Sequence, residues 1–174
     1  MILEALEVLK NRRSIRKFKP DQISDEQLRA VLEAGTFAPT GGGTQGVKII
    51  AVQSPENVAA VDALNAKILN KPDMHPYYGA PTILLIFETD ASFTRELDGA
   101  AVCTNMVNAA YAVGLGSCWI HRCKQMFETE EGKALLKKWG VTENLTGVAS
   151  IALGYADCDA PAPKARKEDY ILRV

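Results

Sequence analysis

The sequence predicts a layered fold, α/β or α+β, with helices packed on the faces of a sheet. Three observations carry that expectation. Apolar runs of strand length recur at 47–52, 81–87, 117–120 and 147–155. Longer stretches with apolar residues at helical spacing separate them. The run Pro81-Thr82-Ile83-Leu84-Leu85-Ile86-Phe87 is apolar without alternation, which fits a strand buried on both faces. With 174 residues the chain can bury one core, and a single domain is expected over 1–174.

Ile2, Leu3, Leu6 and Leu9 share a helical face, so a short amphipathic helix is expected over 2–10. Arg12-Arg13-Ser14-Ile15-Arg16 breaks that pattern as a turn or extended piece. Three guanidinium groups and a hydroxyl so close together suit either a solvated basic face or an anion site, because arginine's planar fork matches phosphate oxygens in pairs. Ser24 and Gln27 have the spacing of a capping box, and Leu28, Val31 and Leu32 continue one apolar face to Gly35, where the helix is expected to end. The glycine-dense loop 38–46 then leads into the strand 47–52. It lacks the Lys-Ser/Thr ending of a phosphate loop and precedes a strand rather than following one, so neither nucleotide-binding fingerprint fits. Glycine there permits either a plain flexible loop or close backbone approach to a ligand.

Ser54 and Pro55 read as N-cap and first residue of a helix carrying Val58, Val61, Leu64 and Ile68, closed by Pro72. His75, Tyr77 and Tyr78 follow in a loop, either lining a pocket or lying as a lid over core. The segment 97–113 is apolar on nearly every side, so it belongs in the middle of the domain or across a subunit interface, with Asn105 and Asn108 needing partners there. Gly114-Leu115-Gly116 introduces the strand 117–120, Thr129 caps a helix reaching Trp139, and 147–155 reads as a central strand. Tyr170, Ile171 and Leu172 are the last candidate strand.

The chain is 47% hydrophobic and 24% charged with a formal net charge of -1, which is globular composition without the basic excess of a nucleic-acid binder. No apolar run has transmembrane length and the N-terminus lacks signal-peptide order, so no membrane partner and a cytoplasmic location are expected. Cys103, Cys118, Cys123 and Cys158 are expected to be free thiols. Cys118, His121 and Cys123 lack the spacing of a zinc site, so no metal is expected.

Four motifs stand in order: Arg12-Arg13-Ser14-x-Arg16, Ala38-Pro39-Thr40-Gly41-Gly42-Gly43-x-Gln45, Gly114-Leu115-Gly116-Ser117-Cys118-Trp119-Ile120 and Pro163-Lys164-x-Arg166. Together, across essentially the whole chain, they closely resemble the FMN-dependent nitroreductase family of the short kind. The resemblance implies a central, mostly antiparallel sheet flanked by helices, and an intertwined homodimer with FMN at the subunit interface. It implies that Arg12, Arg13 and Ser14, joined by Lys164 and Arg166, hold the FMN phosphate and ribityl chain. Arg16 would lie by the pyrimidine side of the flavin. Pro39, Thr40, Gly41, Gly43 and Gln45 would reach the ring edge from the partner subunit, while Cys118, Trp119 and Ile120 pass close to the ring.

Two departures stand out. Many relatives carry Asn before the Gln and Pro-Trp after it, where this chain has Gly43 and Gly46-Val47 around Thr44 and Gln45. His121 and Arg122 follow the third motif and, with Tyr77, are candidate substrate contacts, able to meet an anionic substrate or a nicotinamide phosphate, or simply a strand end at the surface. The implied activity is an NAD(P)H oxidoreductase with ping-pong transfer to nitroaromatic, quinone or flavin-type small-molecule acceptors, the flavin rather than a catalytic side chain carrying the chemistry. A flavin-dependent oxidase or dehalogenase and a non-catalytic flavin-binding module are the alternatives.

Overall fold

The computed structural model describes residues 4–91 and 93–174. Six helices and four strands alternate along them: α1 (Ala5–Asn11), α2 (Asp25–Thr36), β1 (Val47–Val52), α3 (Pro55–Ile68), β2 (Thr82–Glu88), α4 (Arg95–Ala112), β3 (Gly116–Ile120), α5 (Cys123–Glu128), α6 (Glu130–Lys138) and β4 (Thr146–Gly154). Every pairing is antiparallel, in the order β1-β2-β4-β3, so the class is α+β. Ile2 and Leu3, expected in the first helix, lie outside the described residues.

The uniform apolarity of β2 follows from its place. It lies inside the sheet, and all its residues are buried. Ile83, Leu85 and Phe87 pack with α3, α5 and α6, where Phe87 meets Phe127 edge-on at 4.9 Å. Leu84 and Ile86 point the other way, into a cluster with Val31 of α2 and with Val102, Met106 and Ala110 of α4. Alternating side chains of one strand thus seed both cores.

Local signals locate the helix starts. Ser24 and Gln27 form the reciprocal capping box, and Ser54 accepts from the Asn57 N–H with Pro55 at the first position. Thr129 accepts from the Gly132 N–H at the start of α6.

Several expectations are corrected. Gly35 does not end α2, which runs on to Thr36. It is buried where a Cβ would come 2.8 Å from Met106 Cγ and 3.0 Å from Ile49 Cδ1, so glycine is needed there for helix-to-helix contact. Helix α3 ends at Ile68, four residues before Pro72, with Asn70 in the left-handed region at φ 57°. Helix α5 was not anticipated. Helix α4 buries one face within the chain and leaves Leu97 72% exposed, while Asn105 donates to the Ala34 carbonyl of α2 at 3.1 Å. Tyr170, Ile171 and Leu172 form no strand here. They follow or end a single 3-10 turn, Glu168–Tyr170, and every residue from 157 to 174 is exposed. Among the described residues, no helix is long and apolar enough to cross a membrane.

Candidate functional site

The arginine stretch is extended. Ser14 bridges in parallel to Ser117, the Ile15 N–H donates to the Ser117 carbonyl at 2.9 Å, and Phe18 bridges to Ala156. The edge of β3 therefore holds Arg12-Arg13-Ser14 alongside the first residues of that strand, with Ile15 buried as the anchor. A Cβ at Gly116 would sit 3.1 Å from Ile15, so the glycine lets this segment lie close.

A cavity of about 200 Å³ opens where this segment meets the end of α4, walled by Arg12, Arg13, Tyr111, Gly116, Ser117 and Cys158. Arg13 Nη1 donates to the Lys10 and Arg12 carbonyls at 2.8 and 2.7 Å, which locks its guanidinium plane across the end of α1. Its Nε is buried without a partner among the described residues. Two arginine side chains walling one cavity make it a candidate site for an anion. Arg16 is exposed. Burial pushes the Cys118 thiol up, opposed by the Arg16 charge, a hydrogen bond with Ser14 and the Arg12 charge. Those opposing influences place Cys118 beside the arginine segment.

Beyond Cys118, Trp119 is 41% exposed while Ile120 is buried. His121 is exposed, and Arg122 turns the chain in the left-handed region at φ 79°, which a non-glycine residue adopts only when its surroundings enforce it. The enforcement is visible. Arg122 Nε donates to Asn65 Oδ1 at 2.7 Å, and Asn65 Nδ2 donates to the His121 carbonyl at 3.2 Å and the Tyr77 oxygen at 3.3 Å. Ser150 Oγ gives its only hydrogen to the Ile120 carbonyl at 3.2 Å, so Tyr77 must donate to Ser150 across their 2.8 Å contact. One buried chain of donors from α3 thus fixes the backbone at the end of β3.

Tyr77 is in that chain and is 1% exposed, so its hydroxyl is an internal tie, while the residue also lines a larger cavity between α3 and the loop 72–81. Burial carries its phenol far above the ordinary range. Asn65, Ser150 and Asp98 are the residues that sequence reasoning missed. The one available signal was a polar Asn65 on the apolar face of Val61, Leu64 and Ile68.

The glycine loop is built elsewhere. Pro39 is exposed, and Thr40 Oγ1 accepts from the Gln45 N–H at 3.0 Å. Gly42, Gly43 and Gln45 all have positive φ, and Gly41 donates to Asp98 Oδ1 at 3.0 Å near the start of α4. Asp98 and Tyr111 are 13 positions apart on α4, on the order of 20 Å at the helical rise. One chain therefore keeps its loop and its arginine cavity at opposite ends of that helix. Lys164 and Arg166 stand in the exposed tail, where Arg166 Nη2 donates to the Lys164 carbonyl at 2.6 Å.

A larger cavity, about 670 Å³, lies between α3 and the loop 72–81. Its carboxylate, Asp62, already accepts the Tyr77 N–H at 3.0 Å and meets His75 Nδ1 at 2.8 Å. It has no arginine or lysine in its walls.

Comparison with known proteins identifies the family. A crystal structure of a nitroreductase with bound FMN from Bacteroides fragilis NCTC 9343 is 29% identical, with 99% of each chain covered and a TM-score of 0.89. Another with bound FMN, from Desulfitobacterium hafniense DCB-2, is 25% identical over 100% of both chains with a TM-score of 0.87. An Archaeoglobus fulgidus relative, named as a candidate NADH dehydrogenase/NAD(P)H nitroreductase, is 28% identical over 171 residues, 96% of this chain and 90% of its own. The model of the nitroreductase family matches residues 9–155, and the chain belongs to that family.

Proposed function

We propose that the protein is an FMN-dependent NAD(P)H oxidoreductase that works as a homodimer and reduces nitroaromatic, quinone or flavin-type acceptors. The observation that carries this reading is the cavity walled by Arg12 and Arg13, set against β3, whose far end is locked from within. The relatives whose crystal structures hold FMN supply the identity of the anion.

When bound, FMN supplies the hydride acceptor and donor in ping-pong exchange between a nicotinamide and the second substrate. The chain's own residues do the rest. Arg12, Arg13 and Ser14 hold the phosphate and ribityl oxygens, joined by Lys164 and Arg166 of the tail. Arg16 sets a fixed positive charge by the pyrimidine side, which favours the reduced form. The segment Cys118-Trp119-Ile120 would pass close to the ring, with Trp119 its exposed side chain and Cys118 and Ile120 packed into the core beneath. His121 and Arg122 meet the anionic part of the nicotinamide donor or the acceptor, and Arg122 is held ready by Asn65.

Distance within one chain supports the homodimer. The glycine loop and the arginine cavity of one chain are too far apart to share a ligand, so Pro39, Thr40, Gly41, Gly43 and Gln45 reach the ring from the partner. The exposed tail, with apolar Tyr170, Ile171 and Leu172 uncovered, suits wrapping over the second chain.

Subunit mixing tests the arrangement. An Arg12→Ala/Arg13→Ala chain and a Gly43→Trp chain should each lose FMN alone. Refolded together in equal amounts, they should recover about a quarter of the sites, because half the dimers carry one site with both parts intact. No recovery would mean that each chain builds its own site.

A further inference from the structure

We propose that Asp98 is the positioning residue of the glycine loop, and so sets how tightly the partner subunit's cofactor is held. The inference rests on the reading above that this loop touches FMN. It goes further in naming what holds the loop in shape.

Asp98 lies in the first turn of α4 and is 4% exposed. Its Oδ1 accepts the Gly41 N–H at 3.0 Å and the Thr94 hydroxyl at 2.7 Å. A carboxylate removed from water keeps such partners at high cost to break, because the charge would be left without them. The Thr94 side chain closes over the same spot: a Cβ at Gly41 would fall 2.1 Å from Thr94 Oγ1, so only glycine fits beneath it. The loop is therefore clamped from α4 at Gly41.

The rest of the loop folds back on Thr40 and Gly41, the residues at that clamp, and its far end is tied at Gly46 by Thr89. The Gly43 N–H turns back to the Thr40 carbonyl at 2.9 Å, the Thr44 N–H to the Gly41 carbonyl at 3.3 Å, and the Gln45 N–H to Thr40 Oγ1 at 3.0 Å. That accounting leaves the Gly42 N–H as the one amide of 41–45 with no acceptor among the described residues. A Cβ on Gly43 would meet nothing within 4 Å, so its flank is open. A free amide and an open glycine flank, held by bonds to Thr40 and Gly41, offer a flat polar ring edge a rigid backbone surface. Releasing Gly41 would turn a preformed surface into one that must be ordered at binding, and affinity would fall by that ordering cost.

The test is FMN titration of the flavin-depleted full chain, followed by flavin fluorescence and by visible circular dichroism of the bound ring. Asp98→Ala should raise the dissociation constant tenfold or more and alter the dichroism. Asp98→Asn keeps an oxygen for the Gly41 N–H and should stay within threefold of the unmodified protein, a rescue that a merely structural role would not predict. Thr94→Val, which removes the hydroxyl bond to Asp98 and leaves the roof over Gly41, should give an intermediate loss. It also decides the matter should Asp98→Ala fail to fold. Folded Asp98→Ala, or in its place Thr94→Val, with unchanged affinity and dichroism would overturn the assignment. Unmodified protein that takes up no FMN would overturn the proposed function and this inference with it.

Discussion

Truncating Asn65 should destabilise the fold and unlock Arg122 together. Asn65 is fully buried and makes three hydrogen bonds: to Arg122 Nε at 2.7 Å, to the His121 carbonyl at 3.2 Å and to the Tyr77 oxygen at 3.3 Å. In Asn65→Ala the guanidinium loses a short charge-assisted partner, a loss of about 2 kcal/mol, partly relieved because a half-buried Arg122 can turn to water. The His121 carbonyl loses its donor, about 1 kcal/mol more. Tyr77 keeps its own donation to Ser150, so its share is small. The sum is about 3 kcal/mol, or a fall in melting temperature on the order of 6–12 °C for a domain of this size. Tyr77→Phe makes the control, because Ser150 still donates to the Ile120 carbonyl and Asn65 still donates to His121. It should cost only about 1 kcal/mol. Urea titrations of the two variants at one protein concentration give both numbers. A loss below about 1 kcal/mol for Asn65→Ala, or equal losses for the two variants, would refute the claim that Asn65 is the hub.

Three further outcomes follow from burial and close packing. Glu88 is 4% exposed with Oε2 unpartnered, and burial, then the Glu96 charge, raises its carboxyl above the ordinary range. A raised acid penalises the folded state only where it is ionised, so stability falls as pH climbs from the unfolded-state value through the folded one. Glu88→Gln should therefore raise the melting temperature at pH 7.5, by about 1 kcal/mol of stability, with the gain vanishing near pH 4. A gain that persists at pH 4 would point to packing instead. Gly147→Ala should destabilise by about 3 kcal/mol or more in a chemical melt, since its Cβ would come 2.6 Å from the Cys123 backbone, which has no rotamer to yield; a loss under 1 kcal/mol would show that α5 shifts freely. Of the four thiols, Cys103, Cys118 and Cys123 are buried and burial pushes all three up, Cys123 to about 12, so a thiol reagent should find one fast site, Cys158. Fast reaction at a second cysteine in folded protein would contradict the burial of those three.

What the sequence made legible is what is encoded locally. Ser24 with Gln27, and Ser54 with Pro55, announce their helices within four residues, because a cap is a contact between near neighbours. The strand at 81–87 declared itself by apolarity on both faces. Gly35 misled because its reason lies at Met106 and Ile49, and the local rule for a glycine after an apolar stretch is termination. Helix α5 is six residues long, too short for a periodic pattern. Asn65 stood out only as a polar residue on an apolar helix face, and Asp98 not at all: the meaning of each lies with Arg122 or Gly41, 57 positions away in both cases. Tyr77 looked like a loop aromatic because nothing local shows that its hydroxyl reaches Ser150. For the site, residue chemistry alone led to the arginines as an anion cradle, while the role of the glycine loop came through the family resemblance.

The central claim is that the arginine cavity and β3 serve a reducible flavin. An absorbance spectrum of the purified protein, followed by anaerobic addition of NADH and then NADPH, tests it most directly. The account predicts a yellow protein, or one turned yellow by added FMN, that releases FMN on denaturation and is bleached by one of the two donors. A protein that binds no FMN, or a yellow one that neither donor bleaches, would contradict it.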